Sequence, residues 1–118
     1  MTFVLLIYQV APELSLPGSE EQRVLERHRE LQAASSRRGQ LHAVARLASR
    51  RKATTVTVGQ HDAHDVVDGP FIESKEWLVG FYLMDASDEA EAVEHAKQIC
   101  TSPYHAIEVR KVDWRWEG

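Results

Sequence analysis

Residues 77–84 read WLVGFYLM. In an extended chain Trp77, Val79, Phe81 and Leu83 fall on one side and Leu78, Tyr82 and Met84 on the other. Both sides are apolar, so the segment reads as a strand covered on two faces. A second run of this kind, FVLLIY, occupies residues 3–8. The rest of the chain arranges itself around these strands. After Pro12, Pro17 and Gly18, the pair Ser19 and Gln22 has the spacing of a capping box, with Glu20 and Glu21 suited to the positive end of a helix dipole. The helix they predict carries Val24, Leu25, Leu31 and Ala34 inward, has His28 near the centre of that face, and ends at Arg37-Arg38-Gly39.

Leu41 to Ala48 reads as the next strand, with Leu41, Ala43, Ala45 and Leu47 on one face. Arg50, Arg51 and Lys52 read as a basic, solvated turn. Thr54 to Val58 and Asp65 to Val67 form a hairpin around the polar loop GQHDAH, closed by the turn signal Asp68-Gly69-Pro70. Beyond Met84, Ser87 caps a second helix whose inward residues are Ala90, Val93, Ala96 and Cys100. Thr101-Ser102-Pro103 stops it, and His105 to Val112 is the last strand. The order β-α-β-(hairpin)-β-α-β predicts an α+β, ferredoxin-like fold: an antiparallel sheet, both helices on one face, the two doubly apolar strands in the centre. The helices leave the other sheet face apolar and open, and a patch of that size implies an interface, most simply a homodimer about a twofold axis.

The whole chain, 118 residues with 43% hydrophobic and 27% charged, reads as a single globular domain spanning residues 1–118. A net charge of −4 opposes nucleic acid as the partner. One cysteine, Cys100, allows no intrachain disulfide, and its place on the helix reads as a small core residue. The opening MTFVLLIYQV lacks the charged lead of a signal peptide and the roughly 20 apolar residues of a membrane span, so the expectation is a cytoplasmic protein with no membrane contact. Walker, dinucleotide-binding, nucleophile-elbow and H-E-x-x-H patterns are all missing from the sequence. His61, Asp62, His64 and Asp65 suit zinc by type, but a hairpin tip fixes no spacing among them. No cofactor or metal is expected.

The sharpest chemical candidate is His28 with Asp68. A histidine on an inward helix face needs a hydrogen-bond partner, and a carboxylate would fix its tautomer and make it a usable general base. The alternative is a core histidine tying the helix to a turn. Glu73, Lys75 and Glu76 form a second candidate, Lys75 taking an anionic ligand group; the alternative is a salt-bridged edge ahead of the strand. Trp114 and Trp116 lie close to the end of the sequence and require burial, first of all against a second copy and otherwise against another protein.

Asp68-Gly69-Pro70-Phe71, followed by Glu73, Lys75 and Glu76 and then Gly80-Phe81-Tyr82, resembles the signature of the DGPF branch of the YCII-related family. VLLIY at the start, ATTV at residues 53–56 and Glu108-Val109-Arg110 are further matches in the same order. His28 and Gly39 stand at the spacing that the wider family shows between a helix histidine and the glycine ending that helix. The resemblance implies a dimeric α+β barrel. It implies a small-molecule enzyme with a His–Asp pair, here His28 and Asp68, and substrate contacts from Phe71, Glu73, Lys75, Glu76 and Tyr82. It also implies an association with alternative sigma factors. Lys111 departs from the proline that many relatives carry after E-V-R, and the GQHDAH loop has no counterpart in that pattern.

Overall fold

Apolar side chains on both faces force a strand into the middle of a sheet, and the two runs that have them take that place. A computed structural model of the chain describes residues 1–10, 16–72 and 74–118; Pro12 and Glu73 lie outside them. The elements are β1 (Thr2–Val10), α1 (Gly18–Arg37), β2 (Leu41–Arg46), β3 (Thr54–Val58), β4 (His64–Asp68), β5 (Glu76–Asp85), α2 (Glu89–Ile99) and β6 (His105–Lys111). The main sheet has four antiparallel strands in the order β2-β5-β1-β6, and β3-β4 forms a separate two-stranded sheet. The fold is α+β with an antiparallel sheet and two helices, consistent with the ferredoxin-like topology.

Leu5 of β1 and Tyr82 and Met84 of β5 pack with Leu31 of α1 and Ile99 of α2 in one buried cluster, which places both helices on the same face. Phe3, Ala86 and Ala92 extend the core beside it. The alternate residues Val4, Leu6, Phe81 and Leu83 lie on the opposite face, where no helix covers them, and are only partly buried.

Several local expectations change. The N-cap of α1 is Pro17, not Ser19: its carbonyl accepts from the amides of Glu20 and Glu21, both at 3.0 Å, and no side chain caps the turn. The Ser19–Gln22 capping box therefore does not form, because the helix begins before Ser19. The other end is as expected. Gly39 takes φ +69°, its amide reaches Ser36 O and the Gln40 amide reaches Ser35 O, a paired closure that a left-handed residue permits. In α2 the cap is Asp88, whose side chain accepts from the Glu91 amide, while the Ser87 hydroxyl donates to the Glu91 carboxylate. Its buried residues are Ala92, Ala96 and Ile99; Ala90 and Cys100 are exposed. Both registers obey helical spacing, and the chain takes the one that puts the larger Ile99 into the core.

Bulges change the strand faces too. The pairing of β2 shifts between Leu41 and Ala43, so Leu41 packs on the core while Ala43 and Ala45 turn to the open face. A shift between Ile7 and Tyr8 likewise separates Leu78 from Tyr82. The basic turn is a 3-10 helix, Arg50–Lys52, and Arg50 is more than a solvated charge. Its guanidinium donates to Ser74 O at 2.9 Å and Ile72 O at 3.0 Å and lies 5.0 Å from the centre of the Trp77 ring.

Candidate functional site

The half-buried face of α1 carries Val24, His28, Leu31 and Ser35 at helical spacing, and His28 is aimed at β5. His28 Nδ1 lies 2.7 Å from the Tyr82 hydroxyl, their rings stacked with centroids 5.7 Å apart. One turn further on, Gln32 Nε2 donates to the same hydroxyl at 3.1 Å. A tyrosine hydroxyl both donates and accepts, so Gln32, Tyr82 and His28 form a continuous hydrogen-bonded chain.

These groups line a cavity of about 240 Å³ between α1 and the sheet. Its walls are mainly apolar, with Ile7, Val24, Leu25, Val44, Val79 and Ile99 among them, and His105 and Arg46 complete the polar lining. A second hollow of about 490 Å³ opens outward from it and is bounded by Gln9, Glu21, Arg46, Arg50, Trp77 and His105, among others. Val24, Leu25, Arg46, Val79 and His105 border both lobes, so they form the neck of one cleft.

The electrostatics follow from burial. Desolvation, and next the like charge of His105, hold the His28 imidazole below its ordinary value. Burial likewise lowers His105. Burial raises Tyr82, with the Gln32 hydrogen bond opposing it. At neutral pH the chain therefore consists of neutral groups. With Gln32 donating, Tyr82 donates to Nδ1 and the His28 proton sits on Nε2. With the amide reversed, Nδ1–H donates to Tyr82 and Nε2 carries a lone pair. The Tyr82 hydroxyl supports either tautomer, so His28 can give or take a proton at Nε2 while Nδ1 stays tied.

Of the candidate residues that are described, only His28 and Tyr82 are brought together. Asp68 ends β4 opposite Thr54, is exposed, and among the described residues shares neither a hydrogen bond nor a cavity with His28. The Asp68-Gly69-Pro70 turn has a structural task. Gly69 has φ +112°, a conformation that a side chain would strain, its amide reaches Ala53 O and its carbonyl accepts from Thr55 Oγ1. Phe71 is 75% exposed and Lys75 is exposed on the way into β5. Glu76 opens β5 beside a shallow hollow that also touches Tyr8, Pro70 and Trp77. His61, Asp62, His64 and Asp65 belong to no metal-holding group among the described residues. The residues that sequence reasoning missed are Gln32, Arg46 and His105. Gln32 was accessible, being one turn from His28 on the same face. His105 was not, because its place depends on β6 pairing with β1, where it stands opposite Gln9.

The chain matches the family model of the YCII-related domain over residues 1–116. It is also 35% identical over 102 residues to an uncharacterised protein of Rhizobium meliloti (strain 1021), a match covering 84% of this chain and 80% of that relative. The chain belongs to the YCII-related family. No helix among the described residues is long and apolar enough to cross a membrane.

Proposed function

We propose that this chain is an acid/base enzyme of the DGPF branch, acting on a small molecule held in the cleft between α1 and the sheet. One observation carries the reading: the Tyr82 hydroxyl on His28 Nδ1 inside a largely apolar cavity. His28 is the proton-moving group, Tyr82 and Gln32 set its tautomer, and the surrounding aliphatic side chains limit water. A ligand-binding module without turnover would use the same cleft, and substituting His28 would then leave binding intact. The domain in this reading is the whole chain, residues 1–118, working in the cytoplasm.

The test is the titration of the histidine rings by NMR in the wild type and in Tyr82→Phe. His28 is expected to titrate below about 6.5 in the wild type. Phe keeps the burial that lowers His28 and removes the hydroxyl that can accept from Nδ1–H of the imidazolium, so the midpoint is expected to fall further below that reference. The sign for stability follows. Below about 6.5 the unfolded ring binds a proton that the folded one resists, so the contribution is complete above that pH and is lost as pH falls toward the folded midpoint. A His28 midpoint at the reference value, unmoved by Tyr82→Phe, would sink the acid/base role.

The reading includes a homodimer through the open sheet face of Val4, Leu6, Phe81 and Leu83, closing a barrel of two sheets. Asp68, Phe71, Glu73, Lys75 and Glu76 enter it as contributions of a second protomer, since the described ones line no wall of the cleft in their own chain. Light scattering should give a dimer for the wild type and a monomer for Leu6→Glu, which sets a charge into the middle of that face. A monomeric wild type would discard the dimer.

A second reading, a non-catalytic partner of another protein such as an alternative sigma factor, has its own observation. Val56, Val58, Val66 and Val67 of the hairpin are 59–67% exposed, and Trp114 and Trp116 are each 78% exposed. Co-purification that persists in His28→Gln would favour it.

A further inference from the structure

The neck of the cleft holds two polar side chains that the acid/base chain does not use. Arg46 ends β2 and borders both lobes, and among the described residues it makes no ion pair and no side-chain hydrogen bond. His105 begins β6 and borders both lobes as well; its Nδ1 is buried without a partner, and neither ring nitrogen is hydrogen-bonded among the described residues. A buried imidazole nitrogen with no partner costs free energy. The arrangement is accounted for when a ligand completes it.

The ligand class follows from the surroundings. A guanidinium presents a planar fork that matches a carboxylate. The inner lobe beyond the neck is mostly aliphatic, and its volume of about 240 Å³ lies below the roughly 300–1,000 Å³ of drug-sized sites. The outer lobe adds Arg50 and one opposing carboxylate, Glu21. With Arg50 already donating to the Ser74 and Ile72 carbonyls, a phosphate dianion asks for more donors than Arg46 and His105 supply.

Resting on the acid/base reading above, we infer that the cleft takes a small organic monocarboxylate, its carboxylate held at the neck by Arg46 and His105 and its apolar body lying in the inner lobe beside His28. Among the described residues, the ionisable groups that line the cleft with His105 are His28 and Glu21 on α1, Arg46 on β2, Arg50 on the following turn and Tyr82 on β5, and Cys100 after α2 donates its Sγ–H to the His105 carbonyl at 3.5 Å. A bound carboxylate favours the protonated imidazole, so binding draws in a proton and weakens as pH rises through the His105 midpoint of the complex. Arg46 and His105 are binding residues in this assignment, and the proton transfer remains with His28.

The experiment titrates the full chain with phenylacetate and, separately, with phenylacetamide, following the six histidine rings by NMR. The acid is expected to move His105 and His28 saturably, to raise the His105 midpoint, and to leave His42, His61, His64 and His95 unshifted. Phenylacetamide and the Arg46→Gln variant should each lose about tenfold or more in affinity, as expected when a charge-assisted pair is removed. Arg46→Lys should recover part of that loss, and His105→Gln should flatten the pH dependence. Arg46 is exposed, so its two variants keep the fold. Equal binding of acid and amide, unchanged affinity in Arg46→Gln, tighter binding of inorganic phosphate, uniform shifts of all the histidines or no saturable shift would each overturn the assignment. The coupling of His28 to Tyr82, read without any probe, separates failure of this inference from failure of the acid/base reading.

Discussion

Leu31→Ala is expected to lower the free energy of unfolding by about 2–5 kcal/mol, the range for emptying a well-packed leucine site. The helix that carries Leu31 is rich in Glu and Arg, and within it only Leu31 and Ser35 are fully buried. Leu31 is 1% exposed and packs against Leu5, Tyr82, Met84 and Ile99, so one side chain fastens α1 to the sheet and to α2 at once. Removing it leaves a hole that the flanking His28 and Ser35 turns have no apolar group to fill. A domain of ordinary stability has about 5–15 kcal/mol in total, so the variant should be visibly closer to unfolding. Equilibrium urea unfolding measures this directly. A change under about 1 kcal/mol would mean that α1 is held by something other than this contact.

Gly80→Ala should cost about 1–3 kcal/mol, by overpacking rather than by a hole. A Cβ on Gly80 would lie 2.7 Å from the Ala45 carbonyl oxygen. That neighbour is backbone of β2, not the end of a flexible side chain, so the strands themselves must separate. Leu47 N to Val79 O, at 2.9 Å, and the adjoining β2–β5 pairs would stretch in response. Gly80 also lines the inner lobe and stands next but one to Tyr82, so the displaced strand alters the His28 contact as well. Urea unfolding together with the His28 titration reads both effects. Wild-type stability in Gly80→Ala would show that the two strands yield freely at this point.

The sheet was legible because its information is local. The runs at residues 3–8 and 77–84 are apolar on both faces whatever surrounds them, and that alone places them in the centre. The end of α1 was legible for the same reason, since Gly39 supplies a backbone conformation that its neighbours disfavour. Misreadings arose where two local solutions compete. Ser19 offers a good cap, yet Pro17 starts the helix earlier; α2 has two acceptable inward faces; single-residue bulges flip Leu41 and Leu78 relative to their own strands. The site lies a level further from the sequence. His28 and Tyr82 were each singled out, 54 positions apart, but their meeting depends on β5 lying under α1 and on the bulge that fixes which face Tyr82 takes. Asp68 attracted attention by its type and motif, and its geometry is that of a residue beside a tight glycine corner.

The hairpin of β3 and β4 pairs with itself and not with the main sheet, and is tied at its base by Arg50 on Trp77 and by the Gly69 corner. No residue of either strand or of the Gln60–Asp62 tip borders the cleft. Evolution can therefore lengthen, shorten or repaint this arm without altering the residues that line the cleft beside α1. The domain thus has two parts that can drift at different rates, the cleft beside α1 and an arm that shares none of its walls.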